Sequence, residues 1–227
     1  MKKGKQFIYN CMRFFKLLPF FNAISTFKIL QSDFGHFMSS YHSKPIDKNQ
    51  KEIPWFTYPA IEYLNKLDLK DKSIFEYGSG NSTVYWTRNM KEVFAVENNE
   101  TWFKSVKKRI KNAKYQLETD KDKYINNIKV YKRKYDVIVI DGDFRDKCAI
   151  EAIKYLGEGG FIVLDNSDWF PKICEFLRTN NLIEVDFSGF APSNHYTSTT
   201  SLFLKKGYNF KHKRGQISKH IGWMRPF

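Results

Sequence analysis

The stretch at residues 136–141, DVIVID, constrains this chain more than any other. Four β-branched residues in a row, Val137 to Ile140, leave no polar position for water, so the segment reads as a strand covered on both faces. Such a strand needs helices above and below it, and the neighbouring sequence offers them. Ile61, Leu64 and Leu67 at helical spacing, with Pro59 near the first turn, predict a helix over 55–69. Strands follow at 73–77, 93–97 and 115–118, separated by helices at 82–90 and 101–111. After the strand at 136–141 come a helix at 147–156, Gly159 and Gly160 as punctuation and a strand at 161–165. A helix at 169–179 and two last strands, at 183–187 and 198–205, complete the series. This alternation predicts an α/β fold, a doubly wound and mostly parallel seven-stranded sheet. No helical pattern joins the last two strands, which makes the last strand antiparallel.

A chain of 227 residues suits one such domain with short additions. Its apolar content is led by 21 phenylalanines and 13 tyrosines, which excludes a disordered chain, a collagen-like chain and a small disulfide scaffold. Cys11, Cys148 and Cys174 are odd in number, far apart and without a C-x-x-C pair. They predict free thiols in a reducing, cytoplasmic compartment and no zinc cluster.

The net charge of +14 is carried by the two ends. Residues 1–30 hold six basic side chains and no acid, and residues 205–227 hold seven and no acid; without these thirteen, 25 basic residues face 24 acidic ones. The chain therefore divides into a basic N-terminal segment, 1–34, a nearly neutral domain, 35–205, and a basic tail, 206–227. The uncharged run at 17–27 is too short to span a bilayer, which needs roughly 18 residues or more. Its length would suit the apolar part of a signal peptide, but the basic stretch before it already contains Phe7, Ile8, Phe14 and Phe15. At helical spacing Phe7, Cys11, Phe14 and Leu18 share one side while Lys5, Arg13 and Lys16 fall on the other. That pattern fits a helix lying on an anionic membrane surface, and equally one packed on its own domain. Tyr208, Phe210 and Trp223 in the basic tail could instead stack on RNA bases.

The run FEYGSGNST, residues 75–83, joins the first strand to the next helix. Gly78 and Gly80 permit a tight turn and close approach of a ligand, and the helix N-terminus offers N–H groups to an anion. A dinucleotide fingerprint wants a third glycine where Thr83 stands, which weakens a nicotinamide-cofactor oxidoreductase reading. Glu76 ends the first strand, suited to an amino group beside the glycines, and Glu97 ends the second, where a carboxylate meets the two hydroxyls of a ribose.

With these residues the chain resembles a class I S-adenosylmethionine-dependent methyltransferase, over residues 55–205. FEYGSGNST and VFAVENN look like the first two motifs of that family, whose fold is Rossmann-like. The resemblance implies that Glu76, Gly78 and Gly80 hold the methionine part of S-adenosylmethionine and Glu97 its ribose diol. It implies an adenine contact after the third strand, for which Glu118 and Asp120 compete. PWFTYPAIEYL, IDGDFRDKC, LDNSDW and SNHYTSTTSLF look like a bacterial methyltransferase group without an assigned acceptor.

Asp141 and Asp143 follow the fourth strand, and Asp165 and Asn166 the fifth, so all four open at the carboxyl edge of the sheet. Asp141, Asp165 and Asn166 together offer oxygen ligands for Mg²⁺. The catechol and caffeoyl-CoA O-methyltransferases look similar here, but their lysine three residues after the first aspartate is Phe144 in this chain. Asp141, Asp143 or His195 can take a proton from an acceptor, and Arg145 can clamp an anionic group on it or pair with Asp143. Trp55 and Tyr58 stand where they wall the pocket or join the core. The function expected is methyl transfer to a small-molecule or glycan-precursor acceptor, at oxygen. A non-catalytic membrane or RNA adaptor that keeps the cofactor fold is the rival, with nucleic acid the less expected partner.

Overall fold

A computed structural model describes residues 10–213 and 220–223. The segment at 136–141 is the centre of the sheet, as β4 (Tyr135–Ile140), and Val137 to Ile140 are fully buried. Each such side chain withdrawn from water contributes about 1.5–3 kcal/mol, which is why this run fixes the architecture. The other strands are β1 (Ser73–Tyr77), β2 (Glu92–Glu97), β3 (Ala113–Leu117), β5 (Leu156–Leu164), β6 (Leu182–Phe190) and β7 (Thr197–Lys205). Their order is β3-β2-β1-β4-β5-β7-β6. The pairs β1 with β2, β2 with β3, β1 with β4 and β4 with β5 are parallel, whereas β7 runs antiparallel to both β5 and β6. This is the expected doubly wound, seven-stranded sheet with its antiparallel last strand, inserted between β5 and β6.

Helices cover both faces. On one lie α3 (Tyr58–Lys66) and α4 (Asn81–Asn89), whose Ile61, Leu64 and Trp86 pack on Ile74, Val137 and Phe161. On the other, α6 (Lys121–Asn126), α7 (Arg145–Tyr155) and α8 (Pro171–Thr179) bring Tyr124, Cys148 and Leu177 onto Phe75, Ile138 and Ile162. Helix α5 (Glu100–Lys107) follows β2, capped by the Asn99 side chain. Before the sheet come α1 (Leu18–Lys28), a π-helical turn (Ile29–Asp33) and α2 (His36–His42).

Several sequence expectations change. Gly159 and Gly160 do not precede β5 but form a bulge inside it: Tyr135 pairs with Leu156 and Val137 with Phe161, so the residues between are extra. A Cβ on Gly160 would lie 2.6 Å from the Asp136 carbonyl oxygen, a closeness that only glycine allows. The proposed stripe of Phe7, Cys11, Phe14 and Leu18 is not one helix face. Residues 10–14 are helical, but Lys16 adopts a left-handed φ of 55° and a new helix, α1, starts at Leu18; Phe7 lies outside the described residues. Nor does the chain leave the domain at residue 206. The Asp68 and Lys213 amides bond to the carbonyls of Lys211 and Lys66, and Phe210 is buried against Phe161 with ring centroids 4.9 Å apart. Tyr208 stacks on Phe210, and its hydroxyl bonds that of Tyr63, so neither ring is free to take an RNA base. All three cysteines are free thiols. Among the described residues, no helix is long and apolar enough to cross a membrane.

Candidate functional site

Beyond β1 the two glycines do different work. Gly78 turns the chain at φ 86°, and a Cβ there would lie 2.8 Å from the backbone of Gly142. A Cβ on Gly142 would in turn come 2.8 Å from the Gly78 nitrogen and collide with the Tyr124 hydroxyl. Gly78 is thus needed so that the loops after β1 and β4 can touch, and it is Gly80 that faces space. The nearest atom to a Cβ on Gly80 would be in the Trp102 side chain, 3.7 Å away.

Glu76 lies beneath this loop and is fully buried. Its carboxylate accepts from the Thr83 hydroxyl at 2.6 Å and from the Trp86 indole N–H at 3.2 Å. The same Thr83 oxygen accepts from the Gly80 amide at 3.0 Å, so strand end, loop and helix start are joined in one chain of bonds. Burial pushes the Glu76 carboxyl up to about 8, against the pull of the hydroxyl donors and the indole. Glu76 therefore lies under the loop, with each oxygen already accepting one hydrogen bond, and it does not line the cavity described below. Thr83, read from sequence only as a missing glycine, is the link between Glu76 and Gly80.

Glu97, at the end of β2, is held in a different way. One carboxylate oxygen accepts from the backbone amides of Asn98 and Asn99, both at 3.0 Å, and the other from the Ser79 hydroxyl at 2.6 Å. Ser79 also bonds the Tyr115 hydroxyl of β3 at 2.7 Å. Of the two acids after β3, Asp120 caps α6 by accepting from the Lys123 amide at 2.9 Å and is exposed, while Glu118 is half-buried and bonds through its amide to the Glu97 carbonyl.

On the other side of β1, Asp141 and Asp165 follow β4 and β5. Arg145, the first residue of α7, lies between them. Its guanidinium bonds the Asp141 carboxylate at 2.9 Å and the backbone carbonyls of Gly142, Asp141 and Asp165. Its partner is therefore Asp141 and not Asp143, and its donors are turned inward rather than toward an acceptor. Asp165 is buried and accepts from the Thr200 hydroxyl at 2.6 Å. Burial and the neighbouring Asp141 charge raise its carboxyl well above the usual range. Asp141 keeps 24% of its side chain exposed, and desolvation raises it to about 6 although Arg145 pulls the other way.

These contacts correct the Mg²⁺ expectation. The Asp141 carboxylate is paired with the guanidinium of Arg145, the Asp165 carboxyl is bonded to Thr200, and Asn166 adopts a left-handed turn at φ 52° that starts the 3-10 turn Ser167–Trp169. Among the described residues, no three or more His, Cys, Asp or Glu gather as a metal site. Two other candidates do not line the cavity described below. Asp143 accepts from the Asn98 side chain at 2.7 Å, across the end of β1, and His195 is exposed with its ring edge-on to Tyr196.

Between the loop and the segment before α3 lies a cavity of about 270 Å³. Ser79, Gly80, Trp102, Arg109, Lys44 and Asp141 line it, and Trp55 walls it from the far side. Tyr58 does not; it is buried beside His36, their polar atoms 3.3 Å apart. Asn81 organises this wall: its amide N–H₂ donates to the Pro45 carbonyl at 2.8 Å and its oxygen accepts from Arg109 at 2.6 Å. Lys44, Trp102 and Arg109 reach the cavity from segments outside the motifs, and Asn81, although inside FEYGSGNST, does not stand out in the sequence because its partners Pro45 and Arg109 are distant in the chain.

This arrangement, a glycine turn after β1 and carboxylates at the ends of β2 and β4, defines the chain as having the class I methyltransferase fold. No family model matches the sequence, and no curated protein does. Among solved structures, a precorrin-6y C5,15-methyltransferase of Geobacter metallireducens GS-15 superposes with a TM-score of 0.53 at 15% identity, over 65% of this chain and 87% of that one. An rRNA methylase of Streptococcus thermophilus gives 0.50 at 16% identity, over 65% of this chain and 96% of that one. At such identities the likeness is one of fold.

Proposed function

We propose that the protein is an S-adenosylmethionine-dependent methyltransferase acting at oxygen on a small molecule or glycan precursor. The observation that carries this reading is Glu97, fixed by two backbone amides and the Ser79 hydroxyl beside a glycine, Gly80, whose open side faces the cavity. An ionised carboxylate has about four acceptor positions and three are filled here, so one hydroxyl of a vicinal diol can bond Glu97 directly and the second by taking the place of the Ser79 hydroxyl. Gly80 and the free amides at the start of α4 suit a carboxylate, and Glu118 suits the adenine edge because Asp120 is committed to capping α6. At roughly 270 Å³ the cavity is smaller than a pocket for a whole drug-sized ligand, so it takes one end of the cofactor together with the acceptor.

When bound, the cofactor supplies an electrophilic methyl group, and this chain's residues position the acceptor and exclude water. Asp141 lines the cavity, and with a carboxyl near 6 it is mostly ionised at neutral pH and can accept the hydroxyl proton. Arg145 acts through Asp141 by holding it in place. Trp55 and Trp102 offer flat apolar walls suited to a sugar ring or an aromatic acceptor.

Calorimetry should give binding of S-adenosylmethionine or its demethylated product and none of NAD. Incubation with labelled S-adenosylmethionine and a metabolite extract, followed by mass spectrometry, should reveal a labelled acceptor. Binding of NAD in preference would overturn the reading.

A further inference from the structure

The most unusual surface of the molecule is the arm that precedes the sheet. None of the eleven residues of α1 is buried. Phe20, Ile24 and Phe27 recur at i, i+4 and i+7, which places them on one face, and they are 67%, 52% and 66% exposed. Phe21 flanks that face and is exposed too, whereas Asn22, Ser25 and Thr26 occupy the other side. Just before the helix Phe14, Phe15 and Leu17 are exposed as well. Contiguous apolar surface of this kind marks a contact site.

Charge decides what the contact is. The first acidic residue in the chain is Asp33, so every charge before it is positive, and Arg13, Lys16 and Lys28 bracket α1 and the exposed rings. Two copies of this arm laid face to face would bring like charges together. Nucleic acid would satisfy the lysines but offers no apolar medium to Phe20, Ile24 and Phe27. An anionic bilayer offers both: acyl chains for the rings, headgroups for the cations. We propose that α1 is a monotopic docking helix that lies in the interface of an anionic membrane, with Phe20, Phe21, Ile24 and Phe27 inserted. The arm continues through α2, where Phe37 and Tyr41 are exposed and stacked, to Lys44 in the cavity wall, so docking sets the cavity near the lipid surface. This inference stands whether or not the chain transfers methyl groups.

The test is sedimentation of the full chain with phosphatidylglycerol–phosphatidylcholine vesicles and with pure phosphatidylcholine vesicles. Binding to the anionic vesicles is expected, falling as salt rises from about 0.05 to 0.5 M. The triple variant Phe20→Ser, Ile24→Ser, Phe27→Ser should bind on the order of a hundredfold more weakly with an unchanged melting temperature, since none of the three packs in the core. A second variant, Lys16→Glu with Lys28→Glu, should lose the preference for anionic lipid. Absence of vesicle binding by the full chain, or equal binding by the triple variant, overturns the proposal. A dimer or an RNA complex that the triple variant abolishes, in a chain that ignores vesicles, assigns the face to that partner and overturns it too.

Discussion

Two pairs of acidic side chains, Glu76 with Glu97 and Asp141 with Asp165, stand at the carboxyl edge of the sheet to either side of the end of β1, and they are held by different means. On the β1–β2 side Glu76 and Glu97 are held by hydroxyls, an indole and backbone amides, with no cation in contact among the described residues. On the β4–β5 side the Asp141 carboxylate pairs with the Arg145 guanidinium, the Asp165 carboxyl accepts from the Thr200 hydroxyl, and the two face each other's charge. Neutral donors fix a carboxylate's position and create a receptor for hydroxyl groups. Burial beside a like charge, opposed by one paired cation, raises the Asp141 carboxyl toward neutral pH. In the proposed reading the side that binds the cofactor and the side that accepts the proton are thus separated by one strand.

The largest effect expected from breaking this contrast is on turnover. Asp141→Asn should lower kcat by about a hundred- to ten-thousandfold while cofactor affinity, measured by calorimetry, stays within a few-fold. An unchanged kcat would remove the proton-accepting role. In the wild type, activity should rise with pH through about 6, because Asp141 must be ionised to accept the proton.

Next in size comes the stability carried by Glu76. Its carboxyl is raised in the folded state from the ordinary 4.5 to about 8, so the unfolded chain releases the proton first as pH increases. Stability should therefore fall between these values, by at most about 5 kcal/mol. Glu76→Gln should flatten this dependence in denaturant titrations at several pH values. A variant as pH-dependent as the wild type would place the titrating group elsewhere.

A smaller change is expected at Glu97, where hydrogen bonds to a charged group are worth roughly 1.5–3 kcal/mol. Glu97→Ala should weaken S-adenosylmethionine binding about ten- to a hundredfold in calorimetry, and should also lower the melting temperature, because the Asn98 and Asn99 amides and the Ser79 hydroxyl lose their acceptor. The smallest effect is predicted for metal: with the Asp141 carboxylate paired with Arg145 and the Asp165 carboxyl bonded to Thr200, a chelator should leave turnover unchanged in a labelled-transfer assay. Restoration of activity by Mg²⁺ would mean that Arg145 moves away when substrate binds.

The sequence by itself determined the sheet. A continuous β-branched run cannot be satisfied except between two apolar layers, and the periods of the flanking segments allowed few ways to supply them. It also located the strand ends where Glu76, Glu97, Asp141 and Asp165 gather, since strand order in an α/β fold brings the carboxyl ends to one edge. What only the tertiary structure decided is what each of those side chains touches. Thr83 turned from a missing glycine into the link between Glu76 and Gly80, and Gly78 proved to serve a backbone contact with Gly142, 64 positions away. Arg145 pairs with Asp141 because the first turn of α7 points back across the ends of β4 and β5. Sequence periodicity reports which face of an element is buried, because burial depends on the local repeat. Hydrogen-bond partners depend on the meeting of loops that are distant in the chain, and no local pattern encodes them.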